Sequence, residues 1–97
     1  MKLKPGMAAE YKRRHEDLWP ELAAALKADG VSDYSIFMDE DTLTLFAVQK
    51  LNDQHRVAAL LHLPIIRKWW DFMSPLMEVY PDNSPVAKPL QEIFHLD

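Results

Sequence analysis

The chain has no cysteine, only two glycines, and no apolar run approaching membrane-spanning length in its 97 residues. Without thiols, disulfide staples, thiolate catalysis and cysteine metal sites are all excluded. The N-terminus lacks the apolar stretch of a signal peptide, so the expectation is a soluble cytoplasmic protein with no membrane partner. One-signed charge is also missing. Eleven Lys and Arg stand against fifteen Asp and Glu, for a formal net charge of −4. The densest basic run, Lys12-Arg13-Arg14, is flanked by Glu10, Glu16 and Asp17. Nucleic acid is therefore not an expected partner, since it calls for a basic face.

What is present suits one small folded domain spanning residues 1–97. The composition is 48% hydrophobic, with three Trp, three Tyr and four Phe. That is enough for a core and far from the profile of a disordered chain. A lone domain of this length leaves much of its surface exposed, so self-association is a natural way to bury more.

Seven prolines mark most boundaries. Lys4-Pro5-Gly6 is a turn signal, and a helical pattern starts at Met7. Met7, Tyr11, His15, Leu18 and Leu22 recur at spacings of three and four, which places them on one face. Pro20 cannot lie inside a continuous helix but is well suited to a first helical position. A break near Leu18-Trp19 is therefore predicted, with helix from Pro20 to about Ala28 and Gly30 as its C-terminal cap. Tyr34, Ile36 and Met38 alternate with Ser35 and Phe37, and Thr42 to Val48 is rich in β-formers. Asp39-Glu40-Asp41 between them predicts a hairpin loop of several residues. Both strands are apolar on both faces, so helices on one face and a partner subunit on the other would cover them.

Asn52 or Asp53 can cap a helix carrying Val57, Leu60 and Leu61. Pro64 restarts it as a segment with Trp69-Trp70, and Pro75 stops it near Ser74. Pro81-Asp82-Asn83-Ser84-Pro85 is a loop composition. Leu90, Glu92, Phe94 and Leu96 alternate as in a final strand. With Met1-Lys2-Leu3 as a first strand stub, the order becomes βαββαβ. This is an α+β, ferredoxin-like arrangement with an antiparallel sheet and helices on one face.

Few side chains stand out chemically. Tyr11 and His15 are one helical turn apart, and an unperturbed imidazole titrates near pH ~6.5, the range that suits proton transfer at neutrality. On spacing alone they read more simply as core residues satisfied by the backbone. Trp69 and Trp70 point about 100° apart on a helix. One ring can enter the core while the other lines a pocket, where an indole packs on sugar C–H surfaces and bonds a hydroxyl; packing alone also accounts for such a pair. Tyr34 lies at a strand start, where a phenol is often only a rim residue. Asp82 and Asn83 offer acceptors and an amide, although Asx residues between prolines usually form turns. His55, His62 and His95 have no ligand spacing, so no metal is expected.

Four blocks in order are more specific than any of these. Tyr11-Lys12-Arg13-Arg14-His15, with Leu18-Trp19-Pro20-Glu21-Leu22, resembles the Y-x-x-x-H-x-x-x-W-P-E-L motif of the L-rhamnose mutarotase family. Arg67 to Met73 is similar to that family's double-tryptophan helix, Pro81 to Pro85 to its loop, and Leu90 to Leu96 to its closing strand. The resemblance implies cofactor-free interconversion of the α and β anomers of L-rhamnopyranose. It puts His15 at the proton-donor position and Tyr11, Tyr34, Trp69 and Trp70 at sugar-contacting positions, with Asp82 and Asn83 as further candidates for a hydroxyl. It also implies a homodimer of the dimeric α/β-barrel type. One departure is the short first strand, which predicts either a start at an internal methionine of a longer protein or another segment filling the gap. Two rivals remain at this level: a cofactor-free ferredoxin-like monooxygenase and a non-catalytic sugar-binding domain.

Overall fold

The computed structural model describes residues 1–97, the side chain of Val57 excepted. Two helices open the chain, α1 (Ala8–Glu16) and α2 (Pro20–Ala28), followed by strands β1 (Val31–Asp39) and β2 (Thr44–Leu51). A single turn α3 (Val57–Leu60) leads to α4 (Pro64–Met73), which tightens into a 3₁₀ turn at Ser74–Leu76.

Pro20 and Pro64 act as their spacing predicts. Each occupies the start of its helix, where a missing N–H costs nothing. Gly30 follows α2 with φ +92°, a left-handed conformation that relieves the helix end, and its N–H bonds the Lys27 carbonyl at 3.1 Å. The expected helix at Asn52 is largely replaced by loop. The Asn52 side chain accepts from the Gln54 N–H at 3.0 Å and so stabilises a local turn instead of a cap, which leaves α3 only four residues long.

β1 and β2 form an antiparallel hairpin in the register Ile36↔Ala47, Phe37↔Phe46, Met38↔Leu45, with an irregularity between Ser32 and Ser35. The connecting loop, Glu40 to Leu43, is of the several-residue kind that the acidic turn predicts. No other segment fills the place of the first strand. The stub itself does so, with Leu3 N–H to Leu43 O at 3.0 Å and Leu45 N–H to Met1 O at 2.7 Å on one side. On the other side, Lys4 N–H bonds Leu76 O and Glu78 N–H bonds Lys2 O, both at 2.9 Å.

The predicted last strand is corrected. Residues 90 to 96 have no strand partner and no regular structure, and Leu90, Ile93, Phe94 and Leu96 are 70–85% exposed. Alternation at these positions is real, but a strand exists only where a neighbouring ladder receives its backbone, and none does within the chain.

The interior is in two parts. Leu3, Tyr11, Leu45, Met73, Leu76 and Met77 pack where α1 and α4 meet the sheet. Leu22, Leu60 and Ile66 form a second cluster with Leu18 and Trp19. Burying one such leucine contributes about 1.5–3 kcal/mol. Trp69 packs against both clusters and so bridges them.

Candidate active site

Between the two clusters lies a half-open cavity of about 250 Å³. The helical stripe delivers Tyr11, His15, Leu18 and Leu22 to one wall, and α4 delivers Ile66, Trp69 and Trp70 to another. The helix-facing side of the hairpin adds Tyr34, Ile36 and Gln49. A second, apolar hollow between α1 and β1 also borders Tyr11 and His15. It lacks the tryptophans, so the first cavity is the one in which polar and aromatic groups converge.

His15 is held from two directions. Its ring centroid lies 4.4 Å from that of Tyr11 and 5.4 Å from that of Trp69, the latter ring perpendicular to it. Its Nδ1 is 2.9 Å from the backbone carbonyl of Tyr11. A carbonyl oxygen only accepts, so Nδ1 carries a proton and donates it there. The neutral ring then presents a bare Nε2, able to take a proton or, once protonated, to give one.

The two tyrosines are unlike His15 in this respect. Tyr11 is buried, and burial pushes its phenol well above the usual range, reinforced by the nearby Tyr34. Tyr34 is 45% exposed as a residue, yet enough of its phenol is enclosed for burial to raise it as well. Both therefore remain neutral phenols at ordinary pH and offer O–H donors.

Trp69 continues into a ring cluster, with Trp19 at 5.0 Å and Phe72 at 5.8 Å. Trp70 carries the Arg67 guanidinium 5.1 Å from its ring. Both indoles are half-buried and both line the cavity, so the division into one core ring and one pocket ring does not hold. Arg67 also reaches Asp82 Oδ2 at 3.2 Å, and Asn83 Nδ2 donates to Asp71 Oδ1 at 3.0 Å. These two bonds pin the 81–85 loop to α4. Asp82 lies outside the cavity wall, its carboxyl held below the usual range by Ser84 and then by Arg67. Asn83 reaches the cavity rim, in the left-handed region at φ +67°.

Sequence reasoning missed Gln49 and the apolar floor of Leu22, Leu60 and Ile66. Leu22 had a readable signal, since it shares the stripe of His15. Gln49 had a weaker one, as a polar residue on the strand face that carries Leu45 and Ala47.

The family model described as L-rhamnose mutarotase matches residues 1–96. An L-rhamnose mutarotase of Mesorhizobium japonicum is 53% identical over 96 residues, covering 99% of the chain and 91% of the relative. Another, of Bacteroides thetaiotaomicron, is 54% identical over 97 residues, covering 100% and 93%. The crystal structure of an L-rhamnose mutarotase from Formosa agariphila superposes with a TM-score of 0.91 at 52% identity, again covering 100% and 93%. With its whole length matched in sequence and in fold, the chain belongs to the L-rhamnose mutarotase family.

Proposed function

We propose that the chain interconverts the α and β anomers of L-rhamnopyranose, with His15 as the proton donor and the Trp69-Trp70 wall as the sugar platform. The observation that carries this reading is the convergence of an imidazole with an available Nε2 and two indoles on one small cavity. Its volume lies just under the roughly 300–1,000 Å³ of sites for drug-sized ligands, which suits a monosaccharide.

In the proposed reaction, imidazolium Nε2–H protonates the ring oxygen as the anomeric hydroxyl loses its proton. The C1–O5 bond breaks and the open aldehyde forms. Rotation about C1–C2 turns the other face of the carbonyl to the hydroxyl, and closure with the reverse proton movements gives the opposite anomer. No electrons are transferred, so the chemistry calls for no cofactor. Positioned acid–base groups contribute ~10²–10⁴-fold each. The raised phenols of Tyr11 and Tyr34 argue against a tyrosinate as the base at O1. The complementary proton passes to water, or to His15 Nε2 at another step, while the phenols orient hydroxyls. Leu22 and Ile66 offer an apolar seat for the 6-methyl group, and Asn83 is better placed than Asp82 to meet a hydroxyl.

Residues 1–97 act as one domain in this reading, in the cytoplasm. Among the described residues, no helix is long and apolar enough to cross a membrane. The sheet order, with the stub between β2 and the 77–79 segment, supports a ferredoxin-like protomer. Phe37, Phe46 and Val48 on the side of the sheet away from the helices are 42–60% exposed, and with the apolar tail they support a homodimer of the α/β-barrel type.

Saturation-transfer NMR on L-rhamnose tests the function. The expected result is that saturating one anomeric proton depletes the other at catalytic protein concentration. Line broadening of the sugar without transfer would mean a binding domain and overturn the reading.

A further inference from the structure

We propose that Arg14 is a positioning residue for the reaction, its guanidinium clamping α1 to the end of α4 and so fixing where His15 stands against Trp69. The inference rests on the assignment of His15 and Trp69 to the site, and extends it to a residue outside the cavity wall.

Arg14 is adjacent to His15, and on a helix adjacent side chains diverge by about 100°. The Arg14 side chain therefore leaves the site and turns toward α4, where only 18% of it remains exposed. Three contacts hold it there. Nη1 donates to the Phe72 carbonyl. The guanidinium lies 4.1 Å from the Phe72 ring centroid. Nε donates to Glu10 Oε1 at 2.9 Å, one turn back on α1. The Phe72 carbonyl is in the last turn of α4, where carbonyls lack partners within the helix and a cation is favoured.

The clamp acts on both sides of the site. On α1 it fixes the turn that carries His15, and on α4 it grips the turn after Trp69, whose ring packs against Phe72 and perpendicular to His15. A lysine cannot replace it, because one ammonium cannot hold Glu10, meet the carbonyl and lie over a ring together. Arg13 is the natural control. It also bonds Glu10 but is 59% exposed and pairs only within its own helix region, with Glu10 and Asp17.

The test compares Arg14→Met, Arg14→Lys and Arg13→Met by anomer exchange and by the NMR shift of the His15 Cε1 proton, which feels the ring current of Trp69. A misplacement of about 1 Å can cost up to ~10²-fold in rate. Arg14→Met is expected to lower kcat about tenfold with KM changed less than twofold, and to move the His15 resonance toward that of a free imidazole. Arg14→Lys, the milder variant if the first fails to fold, is expected to shift both in the same direction. Arg13→Met is expected to change neither. A residue that only stabilises the fold would lower Tm and leave kcat and the resonance of the folded protein where they were, which would overturn the proposal. Equal losses in Arg13→Met and Arg14→Met would overturn it too. The resonance tests the clamp without reference to turnover, so a failure here is distinct from a failure of the His15 assignment.

Discussion

His15 lies one turn after Tyr11 on a stripe that a spacing count alone can find. Its protonation pattern could not be found that way, because it depends on the Tyr11 carbonyl approaching Nδ1 to 2.9 Å. The same is true of Arg14, which in sequence is one of three consecutive cations and in space is the one that reaches α4. Glu10 holds this arrangement together, and hydrogen bonds from Arg13 and then Arg14 lower its carboxyl to about 2. A carboxyl lowered on folding contributes stability above its ordinary pKa near ~4.3, and that contribution fades as pH falls toward the lowered value. A carbon-detected NMR titration should therefore place the Glu10 midpoint at about 2. A midpoint near the ordinary ~4.3 would mean that the guanidinium pairing is not maintained in solution. Asp82 shows the same limit: a loop carboxylate looks available in sequence, whereas in the fold it is hydrogen-bonded to Ser84 and Arg67.

Helices and the hairpin were largely legible because local rules decide them. Pro20 and Pro64 each start a helix, and the alternation from Tyr34 to Val48 gives two strands, which extend a few residues further than the pattern alone requires. The misses came where distant groups decide. The tail alternates like a strand but has no ladder to join, and the Asn52 cap was lost to an Asx turn beside Gly30. That junction is tight. A Cβ on Gly30 would fall 2.4 Å from Asn52 Oδ1 and 2.9 Å from the His55 Cα, at a φ of +92°. Gly30→Ala is accordingly expected to destabilise the chain by more than the ~1 kcal/mol that a strained left-handed alanine alone costs. Gly6→Ala, with φ +79° and nothing within 4 Å of the new Cβ, should cost only that amount. Urea midpoints of the two variants give the comparison, and equal losses would show that the Asn52-His55 loop yields freely.

As a whole the molecule is more extended than its mass requires. It exposes 7346 Å² against about 5,700 Å² for a compact monomer of this size. Its radius of gyration is 13.9 Å, where about 12.5 Å is usual for this length. Exposed apolar residues contribute to it, among them the Phe37↔Phe46 pair on the open sheet face and the tail from Leu90 to Leu96. The proposed homodimer would cover them, and the two-sided apolar strands are the sequence pattern that suggests it. Sedimentation is expected to give a dimer for the unmutated chain and a folded monomer for the Phe37→Asp, Phe46→Asp double variant. A monomer in both cases would contradict the assembly.

The site is where these scales meet, since the stripe of α1, the end of α4 and the hairpin face each supply one wall. The most direct measurement is anomer exchange of L-rhamnose by saturation-transfer NMR with His15→Ala beside the unmutated chain. Exchange in the variant should fall by about 10²-fold or more, toward the uncatalysed rate, with a fold unchanged by circular dichroism. A folded His15→Ala protein that exchanges anomers as fast as the unmutated one would contradict the assignment of His15 as the proton donor.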